Sequence, residues 1–99
     1  MDGMNWNDDP ALQELVRLFV EDLKLDLEHL ARARQNGELD QVSRIAHQIK
    51  GCAAGYGFPE VSECAARLER RAKTESDTRA VAGELAEFIQ ACRLAIESY

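Results

Sequence analysis

The sequence predicts an all-α domain, an antiparallel four-helix bundle of up-down-up-down order. Three observations lead there. No segment sustains the alternation of apolar and polar residues that marks a strand, and only two prolines occur, Pro10 and Pro59. Apolar residues recur instead at helical spacing in four separate stretches. Only short polar breaks separate these stretches, and short connections between amphipathic helices favour antiparallel neighbours. At 99 residues, the chain suits a single small domain over 1–99 rather than two independent cores.

The first helix is expected from about Pro10 to Gln35, capped by Asp8 or Asp9 with Pro10 in its first turn. Its stripe is Leu12, Leu15, Val16, Phe19, Leu23, Leu27 and Leu30, and Asn36-Gly37 ends it, Gly37 being suited to a left-handed cap. The second runs from about Glu38 to Tyr56 on Val42, Ile45, Ala46, Ile49, Cys52, Ala53 and Tyr56, and Gly57 stops it. The third begins near Pro59 and ends near Thr74, with Val61, Cys64, Ala65, Leu68 and Ala72 as its stripe. The fourth begins near Ser76 or Asp77, either a suitable cap, and buries Val81, Leu85, Phe88, Ile89, Cys92 and Ile96. Residues 1–8 fit no stripe. Trp6 as a lid on the bundle end and a frayed terminus are equal readings of them.

A hydrophobic fraction of 45% is enough for a packed core, and a net charge of −6 argues against a general binder of nucleic acid or anionic membrane. No apolar run approaches the ~20 residues needed to span a bilayer, and no signal-peptide pattern opens the chain, so a cytoplasmic protein is expected. Neither a GxxxxGK[ST] string nor a glycine-rich loop after a strand is present, so no use of ATP and no autonomous kinase activity are expected. The three cysteines, Cys52, Cys64 and Cys92, form no CxxC pair and are expected as small, reduced, buried hydrophobes. His47 and Cys52 stand five residues apart, which points their side chains in different directions, so no metal site is expected.

One stretch does not read as plain bundle. A helix turns ~100° per residue, so His47, two residues before Ile49, points away from the second helix's apolar stripe. Its helical neighbours Ser43, Arg44, Lys50 and Gly51 are not core residue types. His29 also lies on a polar face, without special company, and reads as solvated. His47 differs because Gly51 and Gly55 follow at one-turn intervals, and a helical glycine costs about 0.5–1 kcal/mol relative to alanine. Clearance for something bulky accounts for them. Close packing of another helix accounts for them equally. With Lys50 one turn away, a nucleophilic nitrogen, open space and a cation suit an anion that arrives, bonds and leaves. A phosphoryl group fits that description.

The string His47-Gln48-Ile49-Lys50-Gly51-Cys52-Ala53-Ala54-Gly55-Tyr56-Gly57 resembles the signature of histidine-containing phosphotransfer (HPt) domains. Ala46 matches the small residue common before the histidine, and Cys64-Ala65-Ala66-Arg67-Leu68-Glu69 resembles the Cys…Leu-Glu segment of the family's next helix. Gly55 departs from the pattern, occupying a position where the family accepts many residues. The resemblance implies a phosphorelay intermediate that takes a phosphoryl group from the aspartate of one receiver domain and passes it to another. His47 would be the acceptor through Nε2, Lys50 would position the phosphoryl oxygens, and Gly51 would give clearance. Glu69 would accept a hydrogen bond from Nδ1, its alternative being a solvated carboxylate. The expected partners are receiver domains of response regulators or hybrid sensor kinases, which would supply Mg²⁺. No cofactor is expected in this chain, and a monomer is expected.

Arg44, Gln48, Ala54, Gly55 and Arg67 are the candidate docking residues, with Leu25 and Val20 as apolar additions off the main stripe. Arg44, Lys50, Arg67, Arg70 and Arg71 either steer an acidic receiver or pair with Glu63 and Glu69. The alternative function is a docking module that binds a receiver or another partner through the same face without chemistry.

Overall fold

Asp9 opens the first helix: its carboxylate accepts the backbone N–H groups of Ala11 at 2.9 Å and Leu12 at 3.3 Å. These are two of the donors that a helix N-terminus leaves unpaired. The computed structural model describes residues 9–99, so the expectation for Trp6 lies outside the described residues. Helix α1 spans Pro10–Gln35 and ends on Arg32 and Arg34, whose charge opposes the negative end of the helix dipole. Gly37 takes φ +71°, a left-handed conformation that only glycine adopts without strain, and turns the chain. Helix α2 then spans Leu39–Ala53 and tightens into a 3₁₀ turn over Ala54–Tyr56. Gly57, at φ +91°, closes that turn, and Pro59 starts α3, Pro59–Thr74. Asp77 caps a second 3₁₀ turn, Thr78–Val81, which leads into α4, Ala82–Ser98. The fourth helical stretch therefore starts at the expected cap but with a tighter first turn. Among the described residues there is no strand.

Paired residues give the helix directions. The Ala33 carbonyl at the end of α1 accepts from Glu38 N–H at the start of α2, while Phe19 meets Tyr56 past the end of α2. Ser62, early in α3, donates its hydroxyl to the Lys50 carbonyl late in α2, at 3.0 Å. Arg67 and Arg71 of α3 reach Glu87 and then the Ala80 carbonyl, in descending order toward α4's start. The Tyr99 hydroxyl, just past the end of α4, donates to the Gln13 carbonyl near the start of α1. Each helix thus runs opposite to its neighbours, and α1 and α4 close the ring.

The core holds Leu23, Leu30, Val42, Ala46, Ile49, Val61, Leu68, Val81, Phe88 and Cys92 at its centre. Phe19 clamps one end, its ring 5.3 Å from that of Tyr56 and 5.8 Å from that of Phe58. Four expectations about burial are corrected. Leu15 is exposed, a quarter turn off the line through Val16, Leu23 and Leu30. Cys52 is likewise exposed, off the line through Ala46, Ile49 and Ala53, and Cys64 is only half-buried. Cys92 alone is fully buried, and burial pushes its thiol up to about 12, which leaves it protonated and unreactive. Val20 is buried, so it offers no surface to a partner: α1 packs against both α2 and α4 and needs a wide apolar arc.

Candidate functional site

The site forms where α2 and α3 pack, the most extensive helix contact in the molecule. The buried residues of these helices include four alanines, Ala46, Ala53, Ala65 and Ala72, whose small side chains let the two backbones approach. With Ala46 and Ile49 turned into the core, His47 must face outward, and its side chain keeps 65% of its accessible surface. On α3, Leu68 is buried in the core, and the next residue, Glu69, faces sideways toward α2.

Among the described residues Glu69 is the one charged residue in the buried set, 4% exposed. Burying a carboxylate is costly unless its lone pairs are used. Here three donors use them: Lys50 Nζ lies 2.7 Å from Oε1, while His47 Nδ1 at 2.8 Å and Lys73 Nζ at 2.9 Å share Oε2. The Lys50 and Lys73 ammoniums, with a smaller contribution from His47, hold the Glu69 carboxyl down at about 2 against the opposing effect of burial. It is therefore an anion at neutral pH and can only accept. Nδ1 of the neutral His47 ring is then the donor, and the lone pair sits on Nε2. Because Nδ1 is tied to Glu69 on the inner side, Nε2 points to solvent.

Around this group lies a polar hollow of about 540 Å³, lined by Ser43, Arg44, His47, Glu69 and Lys73 among others. A Cβ added to Gly51 would meet nothing within 4 Å, and the same is true at Gly55. Neither glycine therefore makes room for a neighbouring helix, and neither has the left-handed backbone of Gly37 and Gly57.

The structure brings His47, Lys50 and Glu69 together, with Arg44 on the same hollow and Gly51 one helical turn after His47 on α2. Gln48, Ala54 and Gly55 are exposed on α2 and its 3₁₀ extension. Arg67 stands apart. Two residues before Glu69, it points to the other side of α3, where it lies 3.2 Å from Cys64 Sγ and 3.8 Å from Glu87. Arg71 does not reach the His47 ring: it pairs with Glu75, 3.6 Å away, at the far edge of the hollow. His29 is exposed, 3.9 Å from Asp26. Lys73 is the residue that sequence reasoning missed. Its signal was its place four residues after Glu69, the spacing and order that favour an ion pair on one helix face.

Among the described residues no group of three or more His, Cys, Asp and Glu side chains could hold a metal ion, and no helix is long and apolar enough to cross a membrane. No curated protein and no solved structure matches the chain. The family model of the Hpt domain does, over residues 14–95, a span that includes most of α1 and α4, all of α2 and α3, and every member of the His47–Glu69 cluster. A four-helix bundle that holds one histidine outward on a buried carboxylate, and that matches this family along most of its length, belongs to the Hpt domains, the phosphotransfer domains of two-component signalling.

Proposed function

We propose that this chain is a phosphorelay intermediate in which His47 accepts a phosphoryl group from the aspartyl phosphate of one receiver domain and delivers it to the aspartate of another. The Nε2 lone pair attacks phosphorus in line. The N–P bond forms as the receiver's O–P bond breaks, and the bonding pair returns to the receiver as a carboxylate. The His47 ring keeps its Nδ1 proton and takes on positive charge, which the Glu69 carboxylate offsets through the 2.8 Å hydrogen bond. Delivery is the reverse: the N–P pair returns to Nε2, and the ring leaves as neutral imidazole. Phosphoryl transfer needs positioning and charge stabilisation more than covalent machinery. The sparse site is therefore adequate, with the receiver bringing the acidic pocket and Mg²⁺. Lys50, held by Glu69 at 2.7 Å and one turn from His47 on α2, would turn its ammonium toward the phosphoryl oxygens.

The single observation that carries this reading is the exposed His47 ring fixed through Nδ1 to a buried anion, beside a glycine that nothing in the fold requires. Docking fits the same face. Leu18 and Leu25, about half exposed, share the outward stripe of α1 with His29, which borders a hollow together with Arg44 and Gln48. Leu18, Leu25 and the exposed Ala54 and Gly55 are the apolar residues we assign to this transient contact. The test is incubation with a receiver carrying an aspartyl phosphate. The chain should gain an acid-labile, base-stable phosphate. His47→Ala should lose it while keeping its helical circular dichroism, its melting temperature falling only by the share of one of the three donors to Glu69. Label on the His47→Ala protein would overturn the assignment.

A further inference from the structure

Two donors compete for one oxygen. Oε2 of Glu69 receives both His47 Nδ1 at 2.8 Å and Lys73 Nζ at 2.9 Å, while Oε1 is taken by Lys50 at 2.7 Å. We infer that Lys73 is a positioning residue that limits how firmly Glu69 holds the Nδ1 proton of His47, and thereby sets the pH range over which phosphoryl transfer runs in both directions. The inference rests on the phosphotransfer reading above.

That proton matters on each side of the reaction. In delivery, the ring departs as neutral imidazole only if Nδ1 stays protonated. Once the proton is lost, the leaving group would be an imidazolate anion, and the phosphoryl group stays on Nε2. In acceptance, a ring that binds a second proton has no lone pair on Nε2 to attack with. Transfer is thus bounded by loss of the proton at high pH and by gain of a second one at low pH. A carboxylate that pulls harder on the ring moves both bounds upward, and a cation beside that carboxylate moves them down.

The charged groups bordering His47 are Asp40, Arg44 and Lys50 from α2, Glu69 and Lys73 from α3, and Glu75 just beyond α3. Lys73 alone among the cations sits on the oxygen that the ring uses. Its side chain is 62% exposed, so replacing it opens no cavity and strips no core contact.

The experiment compares wild type with Lys73→Met, Lys73→Gln and Lys73→Arg. Transfer rates are measured onto His47 from a phosphorylated receiver and back from phosphohistidine, from about pH 5 to about pH 10. Helical circular dichroism is recorded for each variant, and the Gln variant stands in if the Met variant fails to fold. Lys73→Met and Lys73→Gln should shift both limbs of the profile upward by about half a pH unit or more, and Lys73→Arg should restore the wild-type position. A uniform loss of rate at every pH would mean that Lys73 touches the phosphoryl group or only supports the fold, and it would overturn the inference. So would an unmoved profile or a downward shift. If the wild-type chain takes no phosphate at all, the phosphotransfer reading itself falls, an outcome distinct from these.

Discussion

At the scale of single residues, Gly51 separates function from fold most cleanly. Its backbone is ordinary helix, and its missing side chain would meet only open space. Stability alone would put alanine there. Gly51→Ala should therefore raise unfolding stability by about 0.5–1 kcal/mol in denaturant titrations. Gly51→Phe should fold as well as wild type yet lose most phosphoryl transfer, because the ring would fill the space beside Nε2. Wild-type transfer by the Phe variant would remove the clearance argument. His47, Lys50 and Gly51 were legible as a set because each is defined by its place on a helix relative to the apolar stripe, whereas Glu69 joined them only through the resemblance to the family signature. Lys73 was harder to see. Its importance depends on Glu69 being buried, and a carboxylate in a polar, charged stretch gives no sign of burial until the rotation of α3 is known.

Among the elements, the helix order and ends were readable because local chemistry fixes them. Asp9 caps, Pro10 and Pro59 start helices, and Gly37 and Gly57 take positive φ where the chain must turn. Gly57→Ala should accordingly lose about 1–2 kcal/mol, measured by the same titrations, since alanine is strained in the left-handed region. Helix rotation was not readable to better than a quarter turn. The stripes of α1 and α2 included Leu15 and Cys52, which the structure leaves exposed, and omitted Val20, which it buries. The same uncertainty grouped Arg67 with Arg44. Once Glu69 faces α2, Arg67 must face α4. The two arginines should then behave differently. Arg44→Glu should slow association with an acidic receiver roughly threefold to tenfold, and more at low salt. Arg67→Glu should leave the association rate within about twofold of wild type. Stopped-flow mixing at two ionic strengths would distinguish them, and equal slowing by both would mean that the docking face reaches around α3.

On the scale of the whole molecule, the site that performs chemistry is also a source of folding stability, because Glu69 links α2 to α3. Its carboxyl is held at about 2 in the folded chain, against an ordinary value of 4.5. The unfolded chain therefore takes up this proton first as pH falls. The stabilisation is complete above about 4.5, drains away between there and about 2, and is gone below. Asp26 works in the opposite sense: burial raises its carboxyl, so its ionised form opposes folding at neutral pH and protonation relieves it. Urea unfolding over a pH series should reveal both. Glu69→Gln should be less stable than wild type by about 1–3 kcal/mol at neutral pH, and the gap should narrow as pH falls toward about 2. Asp26→Asn should be more stable than wild type at neutral pH, and its advantage should shrink as the wild-type carboxyl takes up its proton. Equal stability of Glu69→Gln and wild type across the pH series would mean that the carboxylate's three donors contribute nothing to folding. The cluster would then serve His47 alone, and α2 and α3 would be held together by their apolar contact without help from charge.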